Sequence, residues 1–210
     1  MKKNIIFLKE CSFNYENCEY GFDEIKEKSM FFKNLKVIIL EESIYIKSVP
    51  IKYRFVNFEK YIEKKIVNIL PQDGRILYDY EESHDKKFAY IYVVRGKDKI
   101  EKLCSESRFL EVLPIQFVIK SILDIQLRKK YKNIMALMQW EKTYYFIKCS
   151  NGVLTDNYVS EDISKIYEYL NERNFEGEIV VDKKCSCDEY YLRKLEIIKK
   201  DIVELIYEKI

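Results

Sequence analysis

The chain has 210 residues, 48% hydrophobic and 34% charged, with only 5 Gly and 3 Pro. That supports one domain or two small lobes with a real core, and excludes low-complexity, collagen-like and disordered chains. A net charge of +2 and a single His exclude the strongly basic footprint of a nucleic-acid binder and leave little for acid–base chemistry.

The opening Met1-Lys2-Lys3-Asn4-Ile5-Ile6-Phe7-Leu8 resembles the start of a signal peptide. Its apolar run stops at Lys9-Glu10, too short for an h-region. No other segment reaches the about 18 apolar residues of a membrane span, so a cytosolic chain is expected. The six cysteines, Cys11, Cys18, Cys104, Cys149, Cys185 and Cys187, are irregularly spaced and are expected to be reduced thiols. Cys185-Ser186-Cys187 could seed a metal site, but no His or further Cys lies near it in sequence, so no metal is expected.

Lys36 to Leu40 and Ser43 to Val49 read as strands joined by Glu41-Glu42, the second ending at Pro50. Asn57 is placed to cap a helix with Phe58, Tyr61, Ile62, Ile66, Ile69 and Leu70 on one face. Pro71 ends it, and Gln72-Asp73-Gly74 is turn chemistry. Arg75 to Tyr80 reads as a strand, followed by a polar loop carrying His84, which is expected to be solvated. Phe88 to Val94 is the most apolar strand. A helix over residues 98–105 follows, turning Ile100, Leu103 and Cys104 inward. The strand Leu110 to Leu113 runs into Pro114, which suits the first turn of a helix holding Phe117, Val118, Ser121, Ile122 and Ile125. This is βαβ-type alternation in a layered lobe.

The second half opens with Asn133 to Trp140, then strands Thr143 to Cys149 and Val153 to Val159. Between the last two, Asn151-Gly152 is the strongest hairpin signal in the chain. A helix over residues 161–173 turns Ile163, Ile166, Tyr167 and Leu170 inward, and Gly177 introduces the strand Glu178 to Val181. Leu192, Leu195, Ile198, Ile202 and Ile206 predict one amphipathic helix from Asp188 towards the C-terminus.

Several of these stretches, taken together, resemble the actin-like type IV pilus assembly protein PilM and its relative, the cytoplasmic domain of the type II secretion protein GspL. Val49-Pro50, the helix around Tyr61-Ile62-Glu63-Lys64-Lys65 ending in Leu70-Pro71, and Leu77-Tyr78-Asp79-Tyr80 are similar to the family's small insertion subdomain. Phe88 to Arg95, the helix from Lys97, and Glu111-Val112-Leu113-Pro114 resemble its next βα step, with the acidic position shifted. Ile134 to Trp140, Tyr144 to Ile147 and Asn151-Gly152-Val153-Leu154 resemble the hairpin opening its second lobe.

The resemblance spans residues 36–181 and implies an α/β, reduced actin-like (ribonuclease H-like) two-lobed fold with mixed sheets. Residues 1–130 would form the first lobe, with the insertion near residues 48–95, and residues 131–210 a reduced second lobe of β-meander plus helices. It also implies a non-enzymatic scaffold of a type IV pilus or type II secretion machine. Its partners would be the cytosolic tail of a PilN-like inner-membrane protein and the assembly ATPase, with membrane association through the partner. The tail would dock near the cleft between first lobe and insertion, at Tyr45, Ile46, Val49, Tyr61 and Ile66. The 18 Tyr and 12 Phe suit a binding surface; a base-biased genome gives the same composition.

An actin-like ATPase needs Gly-rich turns whose N–H groups approach phosphate. Here the corresponding stretches are Lys9-Glu10-Cys11-Ser12-Phe13-Asn14 and Met138-Gln139-Trp140-Glu141-Lys142, with no Gly in either. No nucleotide, metal or other cofactor is therefore expected. The alternative is a nucleotide-binding ATPase or kinase-class enzyme using Asp79, Asp124 or Asp156. A third reading takes Arg128-Lys129-Lys130-Tyr131-Lys132 as a contact for anionic lipid.

Overall fold

The computed structural model describes residues 4–24, 34–51, 58–69, 75–104, 107–127 and 133–209. The first lobe is built on β1 (Asn4–Leu8), β2 (Ser12–Tyr15), β3 (Cys18–Gly21), β4 (Asn34–Ile39) and β8 (Phe109–Pro114), in the spatial order β3-β2-β1-β4-β8. The second is built on β9 (Asn133–Trp140), β10 (Thr143–Ser150), β11 (Val153–Ser160), β12 (Gly177–Asp182) and β13 (Leu195–Lys200), in the order β11-β10-β9-β12-β13. The two orders are the same. In each lobe the first three strands form an antiparallel meander, and the last two join it in parallel.

The central strands are apolar without alternation because both faces are covered. Ile6 and Leu8 of β1 meet Leu35, Val37 and Ile39 of β4 on one face, while Ile5 and Phe7 face the other lobe. The apolar run that resembles a signal peptide is this strand. In the second lobe Met135, Leu137, Phe146 and Val181 face outward to their own helix, and Ala136, Met138, Ile147 and Val180 face inward. Between the inner faces lie α3 (Ile115–Gln126) and α5 (Ile202–Lys209), whose Ile115, Ile119, Ile122, Ile202 and Ile206 are almost fully buried. Each such side chain contributes about 1.5–3 kcal/mol of burial. The outer faces are covered by α2 (Lys97–Leu103), through Ile100 and Leu103, and α4 (Ile163–Arg173), through Ile166, Tyr167 and Leu170.

The β4-to-β8 crossover carries an insertion of β5 (Tyr45–Pro50), α1 (Phe58–Ile69), β6 (Ile76–Glu82) and β7 (Phe88–Arg95), with sheet order β5-β7-β6. Val49, Ala89, Ile91 and Val93 face α1, whose Ile62 and Ile66 complete that small core. Tyr92 and Ile46 face the body of the protein.

The C-terminal expectation is corrected. Residues after Asp188 form a 3-10 turn (Glu189–Leu192), then β13, then only the eight-residue α5. Asp188 does cap, but it caps the short turn, accepting from Tyr190 N at 2.9 Å. β13 is covered on both sides, Leu195 and Ile197 outward and Ile198 inward, so its apolar residues carry no period of two. The second lobe thus holds a complete five-stranded sheet. Ile125, expected on the helix after Pro114, is 61% exposed at the end of α3. A further hairpin, β2–β3, turns through Glu16 and Asn17, both at positive φ (49° and 64°) without a glycine to announce it. The Asn151-Gly152 hairpin stands as read, both residues at positive φ. The expected cap Asn57, the turn at Pro71 to Gly74 and the basic run Arg128 to Lys132 lie outside the described residues.

Candidate functional site

The two turns that would cradle phosphate in an actin-like ATPase are those after β1 and between β9 and β10. Here they are bonded to the protein itself. Lys9 Nζ donates to Glu141 Oε2 at 2.7 Å, and Asn14 Nδ2 donates to Glu141 Oε1 at 3.4 Å. Glu10 N donates to the Glu41 carboxylate at 3.2 Å, and Lys99 Nζ donates to Glu10 O at 2.6 Å. A backbone N–H of the first turn therefore already faces an anion, a side-chain carboxylate. Burial pulls the Lys9 ammonium down, but the hydrogen bond and charge of Glu141, with Glu19 and Glu41, outweigh it and hold its pKa above 10.5. Glu141 sits at φ +53°, a conformation that favours glycine.

Behind these turns the lobes are clasped by polar groups. Glu41 N donates to Tyr145 Oη at 3.1 Å, a phenol that burial pushes well above its ordinary pKa. Ile44 N donates to Asn157 Oδ1 at 2.8 Å, and Asn157 Nδ2 donates back to Ile44 O at 2.7 Å. Gln116, fully buried at the start of α3, donates to Glu42 O at 2.7 Å within the first lobe and reaches across to Asn157 Oδ1 at 3.5 Å.

A separate cleft of about 340 Å³ opens between the insertion and the first lobe. Leu77, Asp79 and Glu81 of β6 and Tyr92 and Val94 of β7 form one wall; Val112, Leu113 and Pro114 of β8 with Phe117 form the other. β6 and β8 are both edge strands of their sheets. Phe117 meets Tyr92 edge-on, with ring centroids 4.9 Å apart. At one side Lys120 Nζ donates to Glu81 at 2.9 Å, and Tyr92 Oη donates to the same carboxylate at 3.0 Å. Burial, then the Glu81 charge, raises the Tyr92 pKa far above the usual phenol range. The cleft is thus mostly apolar, with strand edges along both sides and Asp79 at its wall.

The five sequence-predicted docking residues fall on two faces of the insertion. Val49 of β5 and Ile66 of α1 are buried in the small core between the sheet and that helix, and Tyr61 Oη on α1 donates to Pro50 O at 2.7 Å. Tyr45 pairs in register with Val93 and is 53% exposed. Only Ile46, opposite Tyr92, shares the body-facing side that carries the cleft. The sequence gives no signal for β6 and β8 as facing edges, because that depends on which sheets the crossovers assemble. The acidic candidates are not assembled either. Asp79 is on β6, Asp124 on α3, and Asp156 on β11 accepts from Tyr169 Oη at 2.5 Å. His84 is exposed, its backbone N donating to Asn151 O at 3.3 Å. Among the described residues no group of three His, Cys, Asp or Glu could hold a metal, and no helix is long and apolar enough to cross a membrane.

The duplicated β3-β2-β1-β4-β8 order, with paired helices between the sheets, decides the fold class. The fold is actin-like. No protein-family profile matches the chain, and no curated protein matches it. Solved structures do. A Bacteroides thetaiotaomicron protein of actin-like ATPase fold and unknown function superposes with TM-score 0.51 at 10% identity, covering 99% of this chain and 96% of that one. The cytoplasmic domain of EpsL, an inner-membrane component of the Vibrio cholerae type II secretion system, gives 0.56 at 13%, covering 98% and 92%. The PilM–PilN type IV pilus biogenesis complex gives 0.59 at 8%, covering 98% and 90%. At these identities the likeness is one of fold.

Proposed function

We propose that this chain is a non-enzymatic scaffold of a type IV pilus or type II secretion assembly platform. It holds the extended cytosolic tail of a PilN-like inner-membrane protein. The observation that carries this reading is the apolar cleft between two strand edges, β6 and β8. An extended peptide adds main-chain hydrogen bonds to such an edge and drops alternate side chains into adjoining pockets. Leu77, Tyr92, Val94, Val112, Leu113 and Phe117 supply the apolar wall. The likeness in fold to a PilM–PilN complex and to an EpsL cytoplasmic domain supports the choice of partner. On this reading the protein works in the cytoplasm, reaches the inner face of the membrane through its partner, and presents other surfaces to the assembly ATPase.

The reading is nucleotide-independent. Its support is that Glu141 neutralises Lys9 and that Glu41 occupies the N–H of Glu10. The test is a calorimetric titration of the full chain with the cytosolic N-terminal peptide of the neighbouring inner-membrane protein, with and without Mg-ATP. Micromolar binding that ignores Mg-ATP is expected. Binding only with Mg-ATP would favour the nucleotide-binding enzyme instead, and no binding under either condition would remove the partner assignment.

A further inference from the structure

In the second lobe the β12-to-β13 crossover occupies the place where the first lobe inserts its three-stranded sheet. This short crossover carries Cys185 and Cys187. Cys185 is buried and Cys187 half-buried. Cys185 N donates to Asp182 O at 3.0 Å, and Cys187 N donates to Cys185 O at 3.0 Å. A bond closing across two residues is a γ-type turn. It draws the two Cα atoms inside the about 7 Å of an extended dipeptide, towards the about 4.4–6.8 Å that a disulfide accepts.

The side chains meet as well. Interaction with the Cys185 thiol, and then the Lys199 charge, holds the Cys187 pKa below the usual thiol range; the same interaction and burial raise that of Cys185. Lys199 Nζ lies 3.9 Å from Cys187 Sγ, on the adjoining strand β13. The arrangement is a half-exposed nucleophile beside an ammonium, backed by a buried second thiol. No third ligand group completes a metal site among the described residues.

We infer that Cys185 and Cys187 form a redox-active dithiol that closes to an intramolecular disulfide by exchange with a low-molecular-weight disulfide. The Cys187 thiolate attacks one sulfur of the small disulfide, forming a mixed disulfide and expelling one thiolate. Cys185 gives up its proton and attacks the Cys187 sulfur, forming the Cys185–Cys187 bond and expelling the second thiolate. The small disulfide is reduced to two thiols, which take up the two protons, and the dithiol is oxidised. The attacking group is Cys187 because thiolate character and access both favour it.

The full chain is incubated with glutathione disulfide, quenched in acid, alkylated and digested with trypsin. Cleavage after Lys184 and Arg193 leaves both sulfurs in the single peptide of residues 185–193. That peptide is expected to lose two hydrogens and to carry neither glutathione nor alkyl group. Cys185→Ala should stop at one glutathione on Cys187. Cys187→Ala should leave Cys185 reacting at least about tenfold more slowly than Cys187 does in the first variant. The wild-type measurement needs no variant to fold. A wild-type peptide that keeps two alkylatable thiols while exposed Cys11 and Cys18 take up glutathione would overturn the proposal. So would one carrying two separate glutathiones.

Discussion

Asn157 of the second lobe and Ile44 of the first exchange two hydrogen bonds, at 2.8 and 2.7 Å, through the side-chain amide of one and the backbone of the other. Ile44 is 4% exposed, so no water is at hand to replace either bond. Asn157→Ala would leave a buried N–H and C=O unpaired. The expected loss is about 2–3 kcal/mol in urea unfolding. A loss below about 0.5 kcal/mol, the level of an ordinary surface change, would show that the clasp is not a stability element.

Lys9 and Glu141 join the two turns, with Lys9 largely covered and Glu141 about half exposed. A double-mutant cycle with Lys9→Ala and Glu141→Ala should give a coupling of about 0.5–1 kcal/mol, shrinking as salt is raised. Because the folded Lys9 pKa lies above 10.5, this contribution is fully present below pH 10.5 and falls only as pH rises beyond it. Coupling measured at pH 6 and pH 9 should therefore agree.

If the tail lies in the cleft, its wall and the far face of the insertion respond differently. Leu77→Lys places a charge on the β6 edge and should weaken peptide binding by at least about tenfold. Tyr61→Ala, on α1 across the sheet, should leave affinity within about twofold. Calorimetry on both variants decides it. The reverse pattern would return docking to the Tyr45–Tyr61 side.

Asp182 is 1% exposed at the end of β12. Its two oxygens accept from Lys184 N at 2.8 Å and from Val203 N, at the start of α5, at 2.9 Å. Asp182→Ala should cost about 2–3 kcal/mol, since it frees two N–H groups from a charged acceptor. Chemical denaturation with an unchanged m-value would confirm that the loss is one of stability.

The β2–β3 turn offers a gain. Glu16 and Asn17 both hold positive φ, so Glu16→Asn with Asn17→Gly installs residues suited to that geometry. An increase of about 0.5–1 kcal/mol is expected. No change would mean the hairpin is not strained.

The same hairpin shows what the sequence makes legible. Asn151-Gly152 announces its turn because both residue types tolerate positive φ, whereas Glu16-Asn17 adopts the same sign of φ with a residue that does not advertise it. Strands and helices with one covered face, such as α4, are read correctly from Ile166, Tyr167 and Leu170. β13 is misread because Leu195, Ile197 and Ile198 serve two cores at once, and their spacing mimics a helical stripe continuing into α5. The missing glycines at Lys9 to Asn14 and Trp140 to Lys142 are visible in sequence, but not the Lys9–Glu141 bridge that joins those turns. The cleft is invisible for a related reason: its walls come from residues more than thirty positions apart, Leu77 and Val112, that only the crossover connections bring together.

Hinged clamshell proteins part along a thin seam, yet here the boundary between lobes is an apolar cluster running from Ile38 through Ile119 and Ile206 to Val180. Prising the halves apart would wet that interior, so heat should melt both together. Scanning calorimetry should record one cooperative transition whose van't Hoff and calorimetric enthalpies agree. A body built this way moves as one stiff piece, with no joint to flex between its halves.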